Sequence, residues 1–146
     1  MEQLTIIVLT KNSEKTIKKC IESCLFADEI IVVDDNSKDK TVKIVKSINA
    51  TKIIIVKRSL DADFASQRNF ALKKAKNKWV FFVDSDEMIT TVLAKEICKI
   101  IKRKDALNGY YLKRKDYMWG KALMHGESGN INLLRLGKKK DWCLEG

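Results

Sequence analysis

The stretch VFFVDSDE, residues 80–87, places three carboxylates within four residues, directly after a bulky apolar run. Like charges this close destabilise one another unless a cation is shared between them. A second acidic pair, Asp34 and Asp35, stands in IIVVDDNS, again after an apolar run. Asp84 and Asp86 are hard oxygen donors of the kind that suits Mg2+ or Mn2+, with water and phosphate oxygens filling the remaining positions. A cation held there would neutralise a diphosphate as it leaves. Helix capping is the competing reading. Capping needs one acidic residue at a strand-to-helix turn, so it explains Asp34 and Asp35 more readily than three charges in DSDE.

The elements that must position these residues follow from hydrophobic spacing. Leu4–Leu9 reads as a first strand, and Asn12 or Ser13 as the cap of the helix after it. Ile17, Cys20, Ile21, Cys24 and Leu25 form one apolar helical face. Glu29–Val33 is a second strand, followed by a helix capped by Ser37 or Asp39, with Val42, Val45 and Ile48 facing the core. Lys52–Val56 is a third strand, and Phe64, Ala65, Ala71, Leu72 and Ala75 mark the next helix. Lys78–Val83 is a fourth strand that delivers DSDE, and Val92, Leu93, Ile97, Ile100 and Ile101 mark the helix beyond it. The strands are apolar throughout, as when both faces of a sheet are covered. Four strand–helix alternations predict an α/β fold with a mostly parallel sheet. After Asn108 the pattern changes to two strand-like segments, GYYLKRKDYMWG and NINLLRLGKK.

Ligands of open α/β sheets bind beyond the carboxyl ends of the strands. The clusters Thr10–Asn12, Asp34–Asp35 and Asp84–Glu87 all follow strands, so they are expected to share one edge. The first turn, TKNSEK, has no glycine, and no Walker loop is present. Both common phosphate-cradling loops are therefore excluded, leaving a carboxylate-held cation as the phosphate device.

The chain of 146 residues fits one domain and carries a formal net charge of +10. The basic excess is strongest late, in IKRKD, LKRKD and LGKKKD, and suits a polyanionic partner: nucleic acid, an anionic lipid surface or a phosphorylated substrate. A solvated lysine-rich surface is the competing reading. Aromatics are not interleaved with these charges, which argues against a nucleic acid polymer as partner. The four cysteines make no CxxC pair, so a zinc site is not expected; Cys20 and Cys24 read as reduced core thiols. No apolar run approaches the roughly 18–20 residues of a membrane span. The N-terminus reads as a strand rather than a signal peptide, which implies a cytoplasmic location.

Taken together, IIVLTKN, ADEIIVVDDNSKDKTVKIV, FASQRNFALKKAKNKWVFFVDSDE and NLLRL resemble the family 2 glycosyltransferases of the GT-A type. The nearest subgroup resembles bacterial enzymes that add sugars, often glucose, to the lipopolysaccharide core. The resemblance runs from about Leu4 to Leu136. It implies a Rossmann-like nucleotide-diphospho-sugar transferase fold. One domain, residues 1–146, would comprise a nucleotide-sugar-binding half (1–105) and a partial acceptor-side half (106–146), whose truncation is one of two readings. It implies a metal-dependent inverting transfer from a UDP-sugar to a saccharide or lipid-linked hydroxyl in cell-envelope glycan synthesis, at the inner face of the membrane. Thr10 and Asn12 resemble the segment lining the base, and Asp35, with Asp34 beside it, the carboxylate that hydrogen-bonds the base. Arg68 in SQRN resembles an arginine near the diphosphate. Asp84 and Asp86 form the DXD motif: Asp86 resembles the direct metal ligand, Asp84 the residue that faces ribose or donor sugar, and Glu87 extends the motif.

An inverting transfer also needs a general base. In the resembling subgroup the base is a Glu in a His-Glu pair beyond the RLF-like strand. Counting forward, that pair would fall just past Gly146; within the sequence Glu145 is the nearest carboxylate, with Glu127 a weaker candidate. His125, Trp119 and Trp142 are acceptor-side candidates, each with a plain structural reading beside it. Two alternatives stand: a nucleotide-sugar-binding fragment with little turnover, and a non-catalytic receiver-like module. Receiver domains also use acidic residues and Mg2+, but their acidic pair follows the first strand and their phosphoacceptor the third. Here the clusters follow the second and fourth.

Overall fold

The computed structural model describes residues 3–59, 64–103, 109–113 and 132–141. The elements run β1 (Leu4–Thr10), α1 (Ile17–Ser23), β2 (Glu29–Asp34), α2 (Thr41–Ser47), β3 (Ile53–Lys57), α3 (Phe64–Lys74), β4 (Trp79–Asp84), α4 (Thr91–Lys102), β5 (Gly109–Lys113) and β6 (Asn132–Lys138). They build one six-stranded sheet in the order β3-β2-β1-β4-β6-β5. The strands β1 to β4 pair in parallel, while β6 pairs antiparallel with β4 and with β5. The expected mostly parallel α/β sheet is what forms.

Both faces of the sheet are covered, which is why its strands read as unbroken apolar runs. Ile6, Val8, Ile30, Val32, Phe81 and Val83 pack with Ile17, Cys20 and Ile21 of α1, Val45 of α2, and Leu93 and Ile97 of α4. Ile7, Ile31, Val33, Val80 and Phe82 point the other way, onto Ala71, Leu72 and Ala75 around α3. The period-two alternation assigns each strand residue to one layer.

Local predictions differ from the structure in three places. Neither Asn12 nor Ser13 caps α1 with its side chain; the helix is preceded by Thr16, and the Ser13 carbonyl accepts the N–H groups of Thr16 and Ile17. Ser37 does not cap α2, because its hydroxyl and N–H both bond Asp34. Asp39 does serve that helix start, accepting from the Thr41 N–H and hydroxyl. Val92, placed by periodicity on the apolar face of α4, is 80% exposed, while Leu93, Ile97, Ile100 and Ile101 are buried. It lies in the first turn, where one residue of rotation separates core from solvent.

Chain order and sheet order diverge at one point. From β1 the chain moves to β2 and β3 on one side, then crosses to β4 on the other. The carboxyl ends of β1 and β4 therefore flank a topological switch point, the general ligand position in open α/β sheets.

Candidate active site

Register sets the level of each acidic group. Thr10 stands opposite Asp34, and Leu9 opposite Asp84. Three strand ends thus deliver their polar residues to one edge, as expected from the sequence. Between them lies a cleft of about 460 Å³ lined by Leu9, Thr10, Lys11, Ser13, Val33, Asp35, Gln67, Asp84, Ser85 and Asp86.

The carboxylates separate by role. Asp86 is exposed and Asp84 half-buried, both on the cleft wall. Glu87 is fully buried and turns away from solvent. Its Oε1 accepts from the Asp84 N–H at 2.7 Å, and its own N–H donates to the Asp84 carbonyl at 2.9 Å. The third charge of DSDE therefore locks the turn on which the first two stand. The Cys20 thiol adds a donor to the Asp84 carbonyl from α1, at 3.6 Å. A hydrogen bond with Cys24, together with burial, holds the Cys20 thiol well above its ordinary pKa, so it stays protonated. Cys20 and Cys24 are free and buried, as core thiols should be.

The second acidic pair divides the same way. Asp34 is fully buried and spends both oxygens on Ser37, accepting from its N–H at 3.0 Å and its hydroxyl at 2.6 Å. It builds the turn and does not line the cleft. Asp35 does line it, with the Lys11 ammonium 3.7 Å from its Oδ2. An ion pair with a lysine this exposed contributes little. Asn12 is exposed and left-handed, with φ 48°, as is Asn36 at 50°; asparagine tolerates that region. It ties the two loops together by donating its N–H to Ser37 Oγ and accepting from the Lys38 N–H, each at 2.8 Å. Asp39 is reached from the same loop, through the Glu14 N–H. Desolvation pushes its carboxyl up, but the donors from Thr41 and Glu14 outweigh that and hold it below the usual carboxylate range.

Thr10 lines the cleft floor, and its buried Oγ1 has no hydrogen-bond partner. A buried hydroxyl without a partner is costly, and here a ligand group could supply one. Arg68 is not on the cleft wall. It sits on α3 with its guanidinium 5.6 Å from the Phe82 ring, and its Nε is buried without a partner. Glu145, Glu127, His125, Trp119 and Trp142 lie outside the described residues.

Three lining residues escaped the sequence reading. Gln67, beside Arg68 in SQRN, is 2% exposed. Its Oε1 accepts from Arg58 at 2.8 Å and its Nε2 donates to the Arg58 carbonyl at 2.7 Å. From sequence Ser13 reads as a helix cap, and Ser85, between the two aspartates, takes no role. Their hydroxyls meet at 2.7 Å across the switch point.

The donor chemistry fits a hard divalent cation. Among the described residues no group of three or more His, Cys, Asp or Glu could close around a metal by itself. Two carboxylates at the cleft edge are the complement that Mg2+ usually takes from protein when phosphates and water fill its other positions. The late lysines lie elsewhere. Lys138 pairs with Trp79, at the start of β4, while Asp84 ends that strand, roughly 17 Å away at about 3.3 Å per residue. Lys138 to Lys140 therefore do not face the cleft.

Residues 5–140 match the sequence model of Glycosyl transferase family 2. The chain belongs to that family. A relative in Rhizobium meliloti, the lipopolysaccharide core biosynthesis glycosyltransferase LpsC, is 30% identical over 92% of this chain and 52% of its own length. The Escherichia coli UDP-Glc:alpha-D-GlcNAc-diphosphoundecaprenol beta-1,3-glucosyltransferase WfaP is 37% identical over 66% of this chain and 41% of its own. The chain thus spans about half the length of these curated relatives, or less. Among solved structures, Staphylococcus aureus TarS 1–349 in complex with UDP is 34% identical, with a TM-score of 0.60, over 69% of this chain and 32% of that one. The fold is therefore of the GT-A type, and the receiver-like alternative is set aside.

Proposed function

We propose that this chain carries the donor-binding machinery of a metal-dependent inverting glycosyltransferase. It would move a sugar from a UDP-sugar to a saccharide or lipid-linked hydroxyl in cell-envelope glycan synthesis. The observation that carries the reading is the switch-point cleft, where Asp35 stands on one wall and Asp84 and Asp86 on the other. UDP as the nucleotude's identity is supported by the 34% identity to a TarS structure that contains UDP. The acceptor class and envelope role are supported by the relatives' names.

In this reading Asp35 accepts a hydrogen bond from the base, and Thr10 offers its unpartnered hydroxyl at the cleft floor. Asp86, exposed at the edge, is the direct cation ligand, and Asp84 faces the sugar side and supports it. A bound Mg2+ or Mn2+ supplies Lewis-acid neutralisation of the departing diphosphate. Buried Glu87 holds the turn so that both aspartates are preset before the ligand arrives, which is where electrostatic catalysis gains most. The cleft carboxylates are committed to donor and cation, so the base for the acceptor hydroxyl comes from outside the described residues. Glu145 is the candidate.

Calorimetry of UDP with and without Mn2+ tests the assignment. Binding should tighten with the metal, and Asp86→Ala should abolish that gain. Binding indifferent to Mn2+, or an Asp86→Ala variant that keeps the gain, contradicts it.

A further inference from the structure

The DSD turn must hold Asp86 in place beyond the end of β4, where strand pairing no longer restrains the backbone. Glu87 clamps the two ends of the turn through the Asp84 N–H and carbonyl. Nothing in that clamp fixes the middle residue, Ser85. Ser85 is 9% exposed, and among the described residues its hydroxyl bonds Ser13 Oγ alone, at 2.7 Å and 72 residues away in sequence.

Ser13 is itself well anchored. Its N–H donates to Thr41 Oγ1 at 2.7 Å, and the Thr41 hydroxyl donates onward to Asp39 Oδ1. Its carbonyl accepts from Thr16 and Ile17 at the start of α1. The Ser13 hydroxyl also reaches the Lys11 carbonyl at 3.2 Å. With that bond made, Ser85 donates to Ser13, and both hydroxyl protons are used. The loops after β1, β2 and β4 are thus joined by one continuous set of bonds that ends between the two aspartates.

We propose that the Ser13–Ser85 hydroxyl pair is a positioning latch that sets the DSD turn for its cation. Ser13 then governs metal-dependent nucleotide binding without supplying a metal ligand. This rests on the donor-and-metal reading above. The two serines act as a unit, so removing either hydroxyl frees the turn and removing the second costs nothing more. One lost hydrogen bond corresponds to about a tenfold change.

The test is UDP calorimetry on the chain in EDTA and in MnCl2, taking the ratio of the two Kd values as the metal gain. Ser13→Ala and Ser85→Ala should each lower that gain about tenfold. Circular dichroism of each variant should match the wild type, which shows that the chain still folds, and the ratio of the two Kd values separates the metal gain from any change in metal-free binding. The double variant should lose no more than either single one. The latch is overturned if the single variants keep the full gain, if their losses add in the double variant, or if binding in EDTA collapses with the gain. A wild type with no metal gain overturns the donor-and-metal reading, and the latch with it. A wild-type gain left untouched by either serine variant overturns the latch alone.

Discussion

Asp35 and Asp86 stand on opposite walls of one cleft and should fail in different ways. Asp35 acts on the base in this account, so Asp35→Ala should weaken UDP binding in EDTA and in Mn2+ alike. A hydrogen bond to a charged group corresponds to roughly a tenfold to hundredfold loss. The gain from metal should survive. Calorimetry reads both quantities, and a selective loss of the metal gain would move Asp35 to the cation side. The acidic clusters were legible because three carboxylates in four residues need an explanation. What each carboxylate does was not legible. Asp34 and Glu87 are spent inside their own turns, and sequence cannot tell a carboxylate that lines a cleft from one that bonds its neighbour's backbone. Ser13, Ser85 and Gln67 carry no charge pattern, and their roles depend on partners up to 72 residues away.

At the level of elements, the helices and strands of the first hundred residues followed from apolar spacing, because most of them turn an apolar face to the core. Boundaries and caps were less legible, since they depend on a single hydrogen bond. Thr90 shows the scale: its Oγ1 accepts from the Leu93 N–H at 3.1 Å and caps α4. Thr90→Ala should cost about 1 kcal/mol, a drop of roughly 3 °C in melting temperature for a chain of this size. Thermal denaturation measures it, and an unchanged midpoint would mean the cap is satisfied by water instead. The insertion of β6 between β4 and β5 was not foreseeable from spacing. Its antiparallel pairing with β4 is set by the tertiary partner, not by the local sequence.

For the whole molecule, one cluster of lysines sits at the sheet edge opposite the cleft. Lys73, Lys74, Lys76, Lys78 and Lys140 are exposed near the edge where β4 begins, on a chain with a net charge of +10. Lys138 leans over the Trp79 ring at 5.6 Å, and the Lys139 ammonium donates to the Ala75 carbonyl at 2.6 Å. Among the described residues no helix is long and apolar enough to cross a membrane. If this edge rests on an anionic bilayer, neutralising Lys138, Lys139 and Lys140 should reduce binding to phosphatidylglycerol vesicles in a sedimentation assay. Unchanged sedimentation would leave the lysines as a solvated surface. The central claim concerns the other edge. A crystal structure of the chain grown with UDP and Mn2+ tests it most directly. Manganese should give an anomalous peak against Asp86 and Asp84, with the diphosphate beside it and the uracil against Asp35. A nucleotide bound away from the β1–β4 switch point, or manganese that ignores both aspartates, would contradict it.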